Sequence, residues 1–263
     1  MRLFCFGDSF TAYYWPTWAD CLIADAKEQG FEVAENWGKM GAGNDYIYRK
    51  IWEADCKYQF NENDWVFVCW SAMARDDRFY NGQWYHSKNR EGMHPMFGPL
   101  EYCDPVEYTM RDCTYIHTTQ LALMELGVNQ RHWTINNIWD DNATGGQHSA
   151  KVVLESFNLQ FDALPMETAL GDNESKDRVK TYAWQEKALP KAMRHIDVDG
   201  HPTTYEQWTW VVNNLGNANI PWFKPGPHNP GHKLAAEWRD KLNPVTPVDL
   251  DELPWTRSDG LGW

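Results

Sequence analysis

The sequence has six cysteines (Cys5, Cys21, Cys56, Cys69, Cys103 and Cys113), and no two of them form a C-x-x-C pair or show zinc-ligand spacing. That argues against a dithiol redox centre or a structural zinc site. Cys5 and Cys69 lie in apolar runs, where a free cysteine behaves as a small hydrophobe. No apolar run approaches the ~18 residues that a membrane-spanning helix needs, so no membrane partner is expected. No basic stripe is present either. The 24 Lys and Arg are scattered among 37 Asp and Glu, giving a formal net charge of −13. Nucleic-acid binding exchanges clustered Lys and Arg for counterions, so nucleic acid is not expected as a partner. The HExxH, Walker A and GxSxG patterns are missing, which removes zincin, P-loop and α/β-hydrolase readings. Residues 2–6 lead directly into a turn with no secretory leader before them, so the expected setting is the reducing cytoplasm or a particle assembled there. There is no internal repeat and no low-complexity tract.

What is present is a globular mix, 43% hydrophobic and 23% charged over 263 residues, which suits one large α/β domain. Sixteen Trp are far above ordinary usage. Such rings fill cores, and they also line grooves, where their flat faces stack on sugar rings. The first third alternates strand and helix. An apolar run at 3–6 ends in a tight turn at Gly7-Asp8-Ser9, and a helical pattern at 17–29 stops at Gly30. A second strand at 31–36 leads into a loop with Gly38, Gly41 and Gly43, and Asp45 is placed to cap a helix reaching about residue 57. A third strand covers 65–70. This order implies a parallel sheet with right-handed crossovers and helices on both faces, with ligands at the carboxyl ends of the strands. Residues 71–103 read as a long aromatic loop, followed by a helix at 105–126, a strand at 132–138, and helices at 203–215 and 233–242. Residues 1–242 are read as a single domain, and 243–263 as a Pro-rich acidic strap.

Three segments bear on chemistry. Gly7-Asp8-Ser9-Phe10 follows the first strand, which sets Ser9 at its carboxyl end and, with a helix to follow, near a helix N-terminus; the plain alternative is a serine capping that helix. Asn36-Trp37-Gly38-Lys39-Met40-Gly41-Ala42-Gly43-Asn44 comes at the end of the second strand, where glycines let backbone N–H groups approach a ligand; the plain alternative is an ordinary glycine turn. Asp199-Gly200-His201-Pro202-Thr203 opens a helix with Thr203 as its cap. A serine hydroxyl becomes a nucleophile beside a base, and the base needs a third group to hold its tautomer. His201 with Asp199, or with Asp197, supplies both. His228-Asn229-Pro230-Gly231-His232 also opens a helix and ranks second, because it has no Asp at a suitable distance.

In this order the three segments resemble the blocks of the SGNH (GDSL) hydrolase superfamily, in outline over most of the chain and in detail over about twenty residues. The aromatic style also resembles SGNH-like proteins carried by tailed phages. The resemblance implies a three-layer flavodoxin-like α/β fold, Ser9 as nucleophile, His201 as base, Asp199 as acid, and an oxyanion hole from the N–H groups of Ser9 and Gly41. It implies ester hydrolysis through an acyl-enzyme without metal or organic cofactor, on a small-molecule or carbohydrate ester. Two departures stand out. The family's third block places an Asn after the third strand, whereas this chain reads Cys69-Trp70-Ser71-Ala72-Met73-Ala74-Arg75-Asp76-Asp77. Ser71, Arg75 or Asn44 is the expected substitute, with Arg75 favoured. The family's acid lies three residues before its His, a position held here by Val198. Trp70 and Trp84 are the expected substrate-binding aromatics. The rival reading is a non-catalytic protein of the same fold that binds glycan or serves as a virion component.

Overall fold

The computed structural model describes residues 1–73, 75–80, 83–88, 93–94, 98–99, 105–139, 148–170, 179–182, 189–194, 196–216, 219–242 and 247–253. At some strand and helix positions within these, among them 75, 84 and 197, the backbone alone is described. Strands run Arg2–Gly7 (β1), Val33–Asn36 (β2), Asp64–Trp70 (β3), Arg75–Tyr80 (β4), Gln83–Lys88 (β5), Met93–His94 (β6), Gly98–Pro99 (β7), Asn129–Thr134 (β8), Lys180–Tyr182 (β9) and Ile196–Val198 (β10). Helices run Trp18–Glu28 (α1), Asn44–Tyr58 (α2), Pro105–Glu125 (α3), His148–Ser156 (α4), Thr204–Leu215 (α5) and Pro230–Lys241 (α6).

The main sheet has four strands in the order β2-β1-β3-β8, all parallel. β1 pairs with β2 from Arg2 opposite Val33, and with β3 from Arg2 opposite Asp64 to Gly7 opposite Cys69. Because successive strand residues point to opposite faces, the alternating sets of β1 and β3 feed two cores. Leu3, Cys5, Trp65, Phe67 and Cys69 pack with Trp18 and Leu22 of α1, Trp208 and Val211 of α5, and Ala235 of α6. Phe4, Phe6, Val66, Val68 and Trp70 pack with Ile47 and Ile51 of α2, Cys113 and Ile116 of α3, and Leu154 of α4. This is the three-layer α/β fold expected from the sequence. The chain winds outward from β1 to β2 and then crosses back to β3, so the strand order reverses at the carboxyl ends of β1 and β3. Crevices at such reversals are where these folds hold ligands.

Three local expectations need correction. Residues 71–103 contain paired backbone: β4 pairs antiparallel with β5, and β6 with β7. The strand expected at 132–138 instead spans Asn129–Thr134, because its register with β3 ends at Trp70 opposite Thr134, after which the Ile135 N–H reaches back to the Trp70 carbonyl (2.9 Å). Asp45 is not the cap of α2. Gly43 holds the N-cap position, and the donors of Gly43 and Tyr46 point to the carboxylate of Asp77, which comes in from β4 (2.9–3.0 Å). A carboxylate at a helix N-terminus satisfies orphan N–H groups and the helix dipole together.

Candidate active site

Gly7 ends β1 with no room for a side chain, since an added Cβ would lie 1.9 Å from the Thr11 hydroxyl oxygen and 2.9 Å from the Cys69 carbonyl oxygen. The chain then turns at once, with the N–H groups of Thr11 and Ala12 both donating to the Asp8 carbonyl (2.9 Å each). Ser9 sits in this turn, 8% exposed. It is not at a helix N-terminus, as the sequence had led us to expect. α1 begins only at Trp18 with Thr17 as its N-cap, after the intervening Tyr13-Tyr14-Trp15-Pro16. Ser9 therefore caps no helix. The fully buried Asp8 carboxylate braces the turn from below: Oδ1 accepts the Phe10 N–H (2.9 Å) and Oδ2 accepts the Ser71 hydroxyl (3.1 Å). From the other side, the Asn36 amide donates to the Thr11 carbonyl (2.7 Å), and its oxygen accepts the Gly38 N–H (3.0 Å).

His201 reaches Ser9 from 192 residues away, with Nε2 2.9 Å from Oγ. Its Nδ1 lies 2.8 Å from Asp199 Oδ1. A nitrogen facing a carboxylate carries the proton, so Nδ1–H donates to Asp199 and Nε2 is left to accept from the Ser9 hydroxyl. Asp199 Oδ1 also accepts the backbone N–H of His201 (2.8 Å), and Oδ2 accepts the Tyr13 hydroxyl (2.7 Å). Burial of Asp199 pushes its pKa up, but the hydrogen bond and charge of His201, its backbone N–H and the Tyr13 hydroxyl outweigh that and hold the carboxyl below its ordinary value. Burial, with the Asp199 charge and hydrogen bond adding to it, pushes the Tyr13 phenol far up, so it stays a donor. Asp199 lies two residues before His201, and this spacing brings carboxylate and imidazole into contact. It does so through a tight turn that ties both to one oxygen.

α5 fixes where His201 stands. Thr203 is its N-cap: the hydroxyl accepts the Glu206 N–H (3.2 Å), and the Glu206 carboxylate accepts the Thr203 N–H (2.7 Å). The Pro202 carbonyl receives both Trp15 Nε1–H (3.1 Å) and the Gln207 amide (3.0 Å), while Thr204 donates to the Pro16 carbonyl (2.6 Å). The segment after Ser9 and the segment holding His201 are therefore stitched together by buried hydrogen bonds.

The remaining candidates divide. Gly41 has φ of +77°, a left-handed conformation suited to glycine, and is exposed. Asn44 is committed elsewhere: its amide donates to the Ser71 carbonyl (3.3 Å) and to Asp112 Oδ2 (3.1 Å), and its oxygen accepts the Ser71 N–H (2.9 Å). The Ser71 hydroxyl proton goes to Asp8. With their donors engaged in a buried network, neither Asn44 nor Ser71 offers one to a ligand in this arrangement. Trp70 is fully buried between sheet and helices, its Nε1–H donating to His132 Nδ1 (3.1 Å), so it does not line a substrate groove. The side chains of Arg75, Trp84 and Asp197 lie outside the described residues. The segment carrying His228 and His232 anchors α6 on α1, with the Gly231 N–H (2.7 Å) and the Asn229 amide (3.3 Å) both donating to Asp25. Sequence reasoning did not single out Tyr13; its signal was the run of three aromatics just after the Ser9 turn. Among the described residues no group of three or more His, Cys, Asp or Glu is arranged to hold a metal ion, and no helix is long and apolar enough to cross a membrane.

No protein-family model matches the chain, and no curated protein sequence matches it. Among solved structures, a member of the lipolytic protein G-D-S-L family from Veillonella parvula aligns over 82% of this chain and 99% of its own, with 15% identity and a TM-score of 0.39. A psychrotrophic esterase from Pseudoalteromonas, solved inhibited by monoethylphosphonate, aligns over 61% of this chain and 75% of its own, with 11% identity and a TM-score of 0.34. The solved structures to which this chain is similar thus include a G-D-S-L family member and an esterase.

Proposed function

We propose that this chain is a serine ester hydrolase of the SGNH type, acting through a covalent acyl-enzyme on Ser9. The observation that carries this reading is the unbroken hydrogen-bond chain from Ser9 Oγ through the His201 imidazole to Asp199 (2.9 and 2.8 Å). As Oγ attacks the ester carbonyl carbon, His201 Nε2 takes its proton and Asp199 stabilises the imidazolium. Collapse of the tetrahedral intermediate breaks the carbon–oxygen bond to the alcohol, which leaves with the proton from Nε2. Water, deprotonated by the same nitrogen, then attacks the acyl carbon and releases the acid and Ser9. The N–H groups of Ser9 and Gly41 are the proposed oxyanion donors, with the Arg75 guanidinium as the proposed third. Losing one such donor typically costs ~10²–10³ in rate, so Arg75→Met is expected to lower kcat more than it raises KM.

For substrate we propose a short-chain ester on a carbohydrate, which the aromatic richness of residues 71–103 supports by composition. The commitment of Asn44 and Ser71 to the buried network favours a second reading, a non-catalytic glycan-binding protein of the same fold. A p-nitrophenyl alkylphosphonate separates the two. The expected result is release of one p-nitrophenolate per chain, a mass adduct on Ser9, and no adduct on folded Ser9→Ala. An unlabelled wild-type protein that also leaves p-nitrophenyl acetate intact would overturn the enzymatic reading.

A further inference from the structure

Tyr13 touches both members of the acid–base pair. Its hydroxyl donates to Asp199 Oδ2 (2.7 Å), and its ring lies stacked on the His201 imidazole, centroids 3.9 Å apart at 24°. From these contacts we infer that Tyr13 is a positioning residue of the site, a clamp that holds the Asp199 carboxylate and the His201 ring in one plane of action. The inference rests on the proposed hydrolase reading for its kinetic consequence, though not for its structural one.

The need for a clamp follows from the short spacing between acid and histidine. With one residue between them, Asp199 Oδ1 accepts both the backbone N–H and the Nδ1–H of His201. Both bonds end on the same oxygen, so they leave the other carboxylate oxygen, Oδ2, without a partner from His201. In a residue 8% exposed, Oδ2 needs a donor of its own, and a bond there holds the carboxylate at both ends. Tyr13 supplies one from a part of the chain 186 residues away. The same side chain limits the imidazole. Tyr13 covers one face of the ring, and Phe10 lies against it as well (5.4 Å, 52°).

Tyr13 is itself held. Tyr14 and Trp15 meet its ring edge-on, at 5.3 Å and 80° and at 4.6 Å and 76°. Trp15 in turn donates through Nε1 to the carbonyl of Pro202, the residue next to His201. The clamp thus closes a ring of contacts from Tyr13 to Asp199 and His201, on to Pro202, and back through Trp15. An aromatic that merely filled space would need neither the hydroxyl bond nor the stacked face.

Tyr13→Phe removes the hydroxyl and keeps the ring, whereas Tyr13→Ala removes both. Two measurements on the full chain test the idea. The first is the rate constant for phosphonylation of Ser9 by a p-nitrophenyl alkylphosphonate, in which the Ser9 Oγ–phosphorus bond forms, the bond to p-nitrophenolate breaks, and the Oγ proton passes to His201. Normalised to folded protein, it is expected to fall about tenfold in Tyr13→Phe and about a hundredfold in Tyr13→Ala, with little change in the concentration for half-saturation. The second is the low-field proton NMR resonance of His201 Nδ1–H, which needs no turnover. It is expected in the wild type, displaced in Tyr13→Phe and lost to exchange in Tyr13→Ala. Wild-type rates and an unmoved resonance in both folded variants would overturn the clamp and leave the hydrolase reading standing. An inert wild type whose resonance still moves with Tyr13 would overturn the hydrolase reading and leave the clamp.

Discussion

Two histidine-bearing segments open helices in the last quarter of this chain, and their hydrogen bonds set them apart. His201 has both ring nitrogens engaged, one with Ser9 and one with Asp199. At 228–232 the polar groups face Asp25 on α1 instead, and His228 is exposed. If His201 takes the Ser9 proton, as proposed, His201→Ala should lower kcat/KM for p-nitrophenyl acetate by ~10³–10⁴. His228→Ala should stay within about twofold, as surface substitutions usually do. Parallel progress curves for the two purified variants decide the matter, and equal losses would move the base away from His201.

Among the elements, α5 has the clearest link to the site, because its first turn follows His201 directly. Removing the capping hydroxyl with Thr203→Ala leaves the Glu206 N–H without its partner, and such changes typically cost ~1 kcal/mol. The urea midpoint should fall accordingly, with activity at low urea reduced only modestly; an unchanged midpoint would mean that the cap contributes nothing. The first three strands and the first two helices were legible in the sequence because their apolar periods are long and glycines or polar turns bound them. Thr203 was legible as the cap of α5 because its signal is local. The cap of α2 was not, since the carboxylate that serves it, Asp77, lies 31 to 34 residues along the chain. Nor was the fate of Asn44 and Ser71, because pairing with Asp112 and Asp8 depends on how strands and helices stack. Trp70 looked like a groove residue by its position at the carboxyl end of an apolar strand, but the sheet face on which it falls is covered by helices. The interaction of Asp199 with His201 was visible in their nearness; Tyr13 was hidden by its distance in sequence.

At the scale of the whole molecule, a buried histidine makes stability depend on pH. His132 is buried on β8, accepting Trp70 Nε1–H at Nδ1, with Nε2 facing the Gln130 side-chain oxygen (2.6 Å). Trp70 can only donate, so His132 is held as the neutral Nε2–H form. Burial foremost, and then the nearby Arg131 charge, lower its pKa from 6.5 to about 3. As pH falls below the ordinary value, the unfolded chain takes up a proton that the folded chain refuses. The stabilising contribution is therefore complete above about pH 6.5 and is lost between there and pH 3, at up to about 1.4 kcal/mol per unit. Between pH 7 and 5 the wild type should lose about 2 kcal/mol more than His132→Gln, in which that position no longer titrates. Urea titrations at the two pH values measure this, and parallel losses in both proteins would show that His132 does not carry the dependence.

The separation of 192 positions between Ser9 and His201 also has a meaning in time. A ribosome adds ~5–20 residues per second, so roughly ten to forty seconds separate the synthesis of the serine from that of its proposed base. Through that interval β1 can find β2 and then β3, yet the hydroxyl at its tip remains an ordinary alcohol. Reactivity would be switched on by the arrival of the last third of the chain, so that phosphonate labelling of nascent chains would date the moment when the two ends of the molecule first meet.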